Sequence, residues 1–74
     1  MWKEGALRVN NSTFHYWIKV FEDGSRFGIN GGRISKLMLK RNNEIVCNFD
    51  RGWDVKPVDN DTELALAILI ASDN

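Results

Sequence analysis

From Thr13 to Glu22 the chain alternates without a break, with Phe14, Tyr16, Ile18 and Val20 on one side and Thr13, His15, Trp17, Lys19 and Phe21 on the other. A period of two in residues this rich in aromatic and β-branched side chains specifies a strand. Its second face also carries Trp17 and Phe21, which predicts that both faces are covered at least in part.

Gly5–Val9 is short and partly apolar and ends at the turn signal Asn10-Asn11-Ser12, which suits a first edge strand. Glu22-Asp23-Gly24-Ser25 reads as a turn, with Asp-Gly supplying a positive φ. Residues 33–41 recover a strand pattern, Ser35, Leu37 and Leu39 facing one way and Ile34, Lys36, Met38 and Lys40 the other. Asn42-Asn43 predicts a two-residue hairpin into Glu44–Phe49, with Ile45, Cys47 and Phe49 on the core side. Pro57 then bars helix and central strand around it. A helix follows, capped by Asp59, Asn60 or Asp61, with Asn60 and Glu63 at capping-box spacing. The expected fold class is α+β: one domain over residues 1–74, an antiparallel four-stranded β-sheet followed by one C-terminal α-helix.

The helical body, Leu64 to Ala71, is apolar almost all the way round. A helix lying on one sheet face normally keeps a polar outer stripe, so two readings stand: the helix is sunk beneath loops, or it packs on its own sheet and on a partner subunit. Size favours the second. A chain of 74 residues buries only about 60% of the surface its unfolded form exposes, and such domains usually need further support. A single cysteine, Cys47, excludes an intrachain disulfide, and Cys47 with the single His15 falls short of a structural zinc set. A homodimer through the C-terminal helix is therefore expected.

Ten acidic and ten basic residues cancel, which argues against nucleic acid as a partner bound by bulk phosphate neutralisation. The charge is uneven, however. Arg33, Lys36, Lys40 and Arg41 meet no acid between positions 33 and 41, whereas Asp59, Asp61 and Glu63 meet no base between 59 and 63. No run approaches the roughly 20 apolar residues of a membrane span, and Met-Trp-Lys-Glu-Gly has no signal-peptide core. A cytoplasmic protein without membrane contact is expected.

Two stretches concentrate the unusual chemistry. Gly31-Gly32 is followed at once by Arg33, then by Ser35 and Lys36, so backbone donors, a hydroxyl and two cations fall within six residues. Consecutive N–H groups of this kind can cradle a phosphate, and the Arg33 guanidinium can grip one in bidentate fashion. Neither the dinucleotide fingerprint nor the P-loop spacing is present, and the competing reading is a glycine-rich bulge that re-aims a strand. In the second stretch, Asp50-Arg51-Gly52-Trp53-Asp54, Arg51 can meet an anion while Trp53 stacks on a base. The competing reading has Arg51 paired with an acid and Trp53 filling a gap between helix and sheet.

The ligand-binding candidates are thus Gly31, Gly32, Arg33, Ser35, Lys36, Arg51 and Trp53. Their ligand would be a nucleotide or another phosphorylated small molecule. Asp50 and Asp54 alone make a weak Mg²⁺ site, and His15 and Cys47 lack a third member for nucleophilic catalysis. No cofactor, metal or catalytic residue is assigned.

The run Gly28-Ile29-Asn30-Gly31-Gly32-Arg33-Ile34-Ser35-Lys36-Leu37 and the motif Asp50-Arg51-Gly52-Trp53-Asp54, together with Trp2, Gly5, Tyr16-Trp17-Ile18-Lys19-Val20 and a closing helix that ends in asparagine, resemble a group of short uncharacterised proteins of phages and prophages of Gram-positive bacteria. The resemblance implies a setting and no reaction. Small phage proteins without enzyme motifs are often accessory factors acting on the host, inhibitors of host defence among them, and the resemblance implies such a role by association. Two functions follow as expectations: sequestration of a nucleotide signal, or docking on a host or phage protein through a sheet edge or the apolar helix.

Overall fold

A computed structural model describes residues 1–74. Five strands, β1 (Trp2–Val9), β2 (Ser12–Val20), β3 (Ile34–Arg41), β4 (Glu44–Asp50) and β5 (Trp53–Val55), are followed by one helix, α1 (Asn60–Asp73). The strands form an antiparallel meander in the order β1-β2-β3-β4-β5. The α+β class and the closing helix agree with the sequence reading, but the sheet has five strands and not four. The extra strand is three residues long, pairing Val55 with Asn48 and Trp53 with Phe49. Three residues are too few to show a period of two, and Pro57 closes the segment soon afterwards.

Asparagine turns fix the register. Asn42 and Asn43 both adopt positive φ, 53° and 65°, the backbone that two-residue hairpins require. Asn10 (φ 55°) turns β1 into β2, and Arg51 (φ 60°) turns β4 into β5. Between β2 and β3 the expected tight turn at Glu22–Ser25 is instead the start of a long connection. Gly24 does not use positive φ, and a short 3₁₀ turn, Ile29–Gly31, follows.

Two bulges correct the predicted faces. Lys19 pairs with Lys36 and Val20 with Ile34, leaving Ser35 as the additional residue. That shift brings Ile34 to the core side, fully buried. On β4, Leu39 pairs with Cys47 and Lys40 with Ile45, leaving Val46 additional. Val46 is buried and Ile45 exposed, the reverse of the simple alternation.

The helix lies over β1, β2 and β3. Asp59 caps it, accepting from the Thr62 N–H at 2.9 Å and from the Thr62 hydroxyl at 2.7 Å, so the cap starts one residue before the Asn60–Glu63 spacing. Ala65 and Leu69 are buried with Phe14, Ile18, Ile34, Leu37, Leu39, Cys47 and Phe49 in one core. Leu64, Ala67, Ile68 and Ala71 form the outward stripe of the helix and are exposed. With one helix for two sheet faces, only one face is covered. The expectation that both faces of β2 are covered at least in part is met on the second face only by neighbouring side chains: Trp17 and Lys19 are half-buried, but no element lies over the face bearing His15, Trp17 and Lys19.

Candidate functional site

The glycine-rich stretch is organised around the chain's own Asn74. Asn74 Oδ1 accepts from the Ile34 N–H at 2.9 Å, and its Nδ2 donates to the Ile29 carbonyl at 2.9 Å. A Cβ on Gly32 would collide with that side-chain amide, and one on Gly28 would collide with the Gly32 carbonyl. Arg33 completes the arrangement by donating from Nη2 to the Asp73 carbonyl at 3.2 Å. Most N–H groups that a phosphate cradle would use already donate within the chain: Gly28 to Ser25, Gly31 to Gly28, Gly32 to Ile29, and Ile34 to Asn74. Gly31, at φ 72°, has open space around it.

The other sequence-selected residues meet at the same end of the sheet, although their side chains diverge. The Arg51 N–H donates to the Ser35 carbonyl at 3.2 Å. Ser35 is itself buried, its hydroxyl reaching the Lys19 carbonyl at 3.4 Å. Lys36 Nζ lies 3.7 Å from Asp50 Oδ1. Trp53, 39% exposed, sets its ring edge-on to Phe49 at 5.0 Å, so it sits at the β4–β5 edge and does not fill a gap beneath the helix. Arg51 is exposed, and Arg33 lines a separate hollow of about 390 Å³ with Met1, Lys3, Val20, Phe21 and Glu22.

The uncovered sheet face presents a more coherent arrangement. His15 and Trp17 stack with ring centroids 4.5 Å apart and planes 11° from parallel. Lys40 Nζ stands 5.8 Å from the Trp17 ring, within cation–π range. His15 Nε2 is 3.1 Å from Glu4 Oε2, which holds the imidazole edge in place. His15, Trp17 and Lys40, together with Ala6, Thr13, Asn42 and Asn43, bound a hollow of about 330 Å³. Further along β2, Lys19 Nζ is 5.9 Å from the Trp2 ring and 5.3 Å from the Phe21 ring. Two ring-and-lysine units therefore share one face.

The signal for this face was present in the sequence, since His15, Trp17, Lys19 and Phe21 alternate with the core residues of β2. What exposes it is a count: one helix cannot cover both sides of a sheet. Cys47 lies on the helix side, away from His15, and burial pushes its thiol up to about 12, so the two cannot act as nucleophile and base. No group of three or more His, Cys, Asp or Glu side chains stands close enough to hold a metal ion. No helix is long and apolar enough to cross a membrane.

The chain belongs to the family described as Domain of unknown function (DUF7678), whose match spans residues 1–74. No curated protein and no solved structure matches it.

Proposed function

We propose that this chain is a non-enzymatic binding module that takes a ligand with a flat ring and a phosphate, of which a nucleotide is the plainest example, on the uncovered face of its sheet. One observation carries the reading: a stacked His15–Trp17 pair with the Lys40 ammonium above the indole, beside a hollow lined by Thr13, Asn42 and Asn43. Base–aromatic stacking contributes about 1–3 kcal/mol per base, and an ammonium beside the ring adds a phosphate contact. The glycine-rich stretch supports the same ligand less well, because an anion there would have to displace Asn74 from its two hydrogen bonds. In the prophage setting implied by the motif resemblance, sequestration of a nucleotide signal, as in inhibition of host defence, is the action such a module would perform.

Isothermal titration with mononucleotides and cyclic nucleotides tests the reading. Saturable binding that is lost in Trp17→Ala and weakened in Lys40→Ala, with the circular dichroism of each variant unchanged, supports it. Binding that survives both changes but is lost in Arg33→Ala or Arg51→Ala moves the site to the glycine-rich end, and no saturable binding removes it.

A second reading has its own observation. Leu64 (51% exposed) and Ile68 (46%) lie on the outward stripe of α1 with Ala67 and Ala71, and no charged residue interrupts that stripe between Glu63 and Asp73. A surface of this kind suits a homodimer or docking on another protein.

A further inference from the structure

We infer that the ligand of the uncovered sheet face is a single-stranded nucleic acid, which rests on the reading of that face given above and narrows its ligand class. β2 pairs with β3 so that three successive cross-strand pairs on this face are His15–Lys40, Trp17–Met38 and Lys19–Lys36. The central pair is the stacking platform. Lys40 stands on one side of it and the Lys19–Lys36 pair on the other, Lys19 and the His15 position opposite Lys40 lying four residues apart on β2, or about 13 Å at the usual rise of a strand.

Like charges directly opposite one another destabilise a sheet, and the Lys19–Lys36 pair is only half relieved. Lys36 lies 3.7 Å from Asp50, while Lys19 has no carboxylate partner and rests between the rings of Trp2 and Phe21. An anion placed there would answer the remaining charge. A mononucleotide carries its phosphates on one side of its nucleoside, whereas a nucleoside within a strand has one on each side. Cations on both sides of Trp17 match the strand. Beside Lys19, its cross-strand partner Trp2 (58% exposed), together with Phe21 (47%), offers a second aromatic platform for the next base, the arrangement by which flat sheets bind single strands.

The zero net charge does not oppose this. Four of the ten acids, Asp59, Asp61, Glu63 and Asp73, fall after position 58 with no base among them, so residues 1–58 hold ten bases against the remaining six acids. These acids belong to the helix and its cap, on the far side of the sheet, where Lys3 and Arg41 answer two of them. The uncovered face itself carries Lys19, Lys36 and Lys40 against Glu4 and Asp50.

The test is fluorescence anisotropy of end-labelled oligodeoxythymidylate and oligouridylate of two, four and eight residues, with unlabelled mononucleotide as competitor. Affinity is expected to rise at least tenfold from the mononucleotide to the octamer. Phosphate contacts from Lys19, Lys36 and Lys40 are expected to give a slope of about −2 in log K against log salt, at roughly 0.7 per contact for single strands. Lys19→Ala and Lys36→Ala are expected to weaken octamer binding several-fold and reduce that slope, leaving mononucleotide binding unchanged. A mononucleotide that binds as tightly as the octamer overturns the inference and leaves the sheet-face reading standing. Octamer binding that is indifferent to Lys19→Ala and to salt overturns it in the same way. Absence of binding by both ligands removes the two together.

Discussion

Asn74 fills the space that a side chain on residue 32 would need. Its amide bridges the Ile34 N–H and the Ile29 carbonyl, so the last turn of the helix is tied to the loop that leads into β3. Arg33 to the Asp73 carbonyl and Lys3 to the Asp73 carboxylate at 2.6 Å add two further ties at the same place. The glycine-rich motif thereby has a structural reason that does not involve a ligand.

That relationship predicts a specific coupling. Asn74→Ala leaves a donor and an acceptor without their partner, at a cost of about 1–3 kcal/mol. Gly32→Ala displaces the same amide and should cost a similar amount. Because both changes break one contact, their combination is expected to cost well under the sum, a coupling of about 1 kcal/mol or more. Urea denaturation of the four proteins of the cycle measures it, and strictly additive losses would show that Gly32 is required for some other reason.

The helix cap makes stability sensitive to acid. Arg41 donates to Asp59 Oδ2 at 2.6 Å, and Thr62 donates twice to Oδ1. These bonds, that from Arg41 first, hold the Asp59 carboxyl well below the usual carboxylate range. A depressed folded pKa contributes stability that is present above the unfolded value of about 4 and is lost as pH falls towards the folded one. Asp59→Ala is therefore expected to melt below the parent at neutral pH, with the gap closing as pH falls towards about 2. An equal gap at every pH would assign the loss to the backbone and not to the carboxylate.

Cys47 gives the opposite sign. Burial disfavours its thiolate and pushes the thiol up from 9.0 to about 12. A raised folded pKa leaves the full contribution in place below the unfolded value, and stability declines as pH rises from there through about 12. Two outcomes are expected: an aromatic disulfide reagent at pH 8 modifies Cys47 slowly in the native protein and fully in urea, and Cys47→Val flattens the alkaline limb of the stability curve. Rapid native modification would show that this part of the core opens readily.

Much of the architecture was legible because it is written locally. The alternation of Phe14 to Val20, the Asn42-Asn43 hairpin and the cap-then-apolar pattern from Asp59 onward each depend on residues adjacent in sequence. The bulges at Ser35 and Val46 were not legible, since a bulge is decided by which partner residue stands opposite, and it moved Ile34 into the core and Ile45 out of it. The glycine-rich stretch suggested an anion cradle because composition shows that backbone is available without showing what fills it. What fills it is Asn74, 40 positions or more from the loop groups it bonds. Trp17 and Lys40 form one platform only because β2 and β3 pair in the register that puts Met38 opposite Trp17.

The helix offers a prediction in which neighbouring residues behave differently. Leu66 and Ile70 pack against the core, whereas Leu64 and Ile68, two positions earlier in each case, face outward. An aspartate at 66 or 70 places a charge among apolar groups and is expected to unfold a domain this small, since burying an unpaired charge costs several kcal/mol. An aspartate at 64 or 68 meets solvent in the isolated chain and should leave its circular dichroism unchanged. If two copies share the outward stripe, sedimentation equilibrium will show a dimer for the parent and a monomer for Leu64→Asp and Ile68→Asp. A parent that stays monomeric at about 100 µM, well above the micromolar range of a modest interface, removes the dimer and leaves the stripe to a different protein.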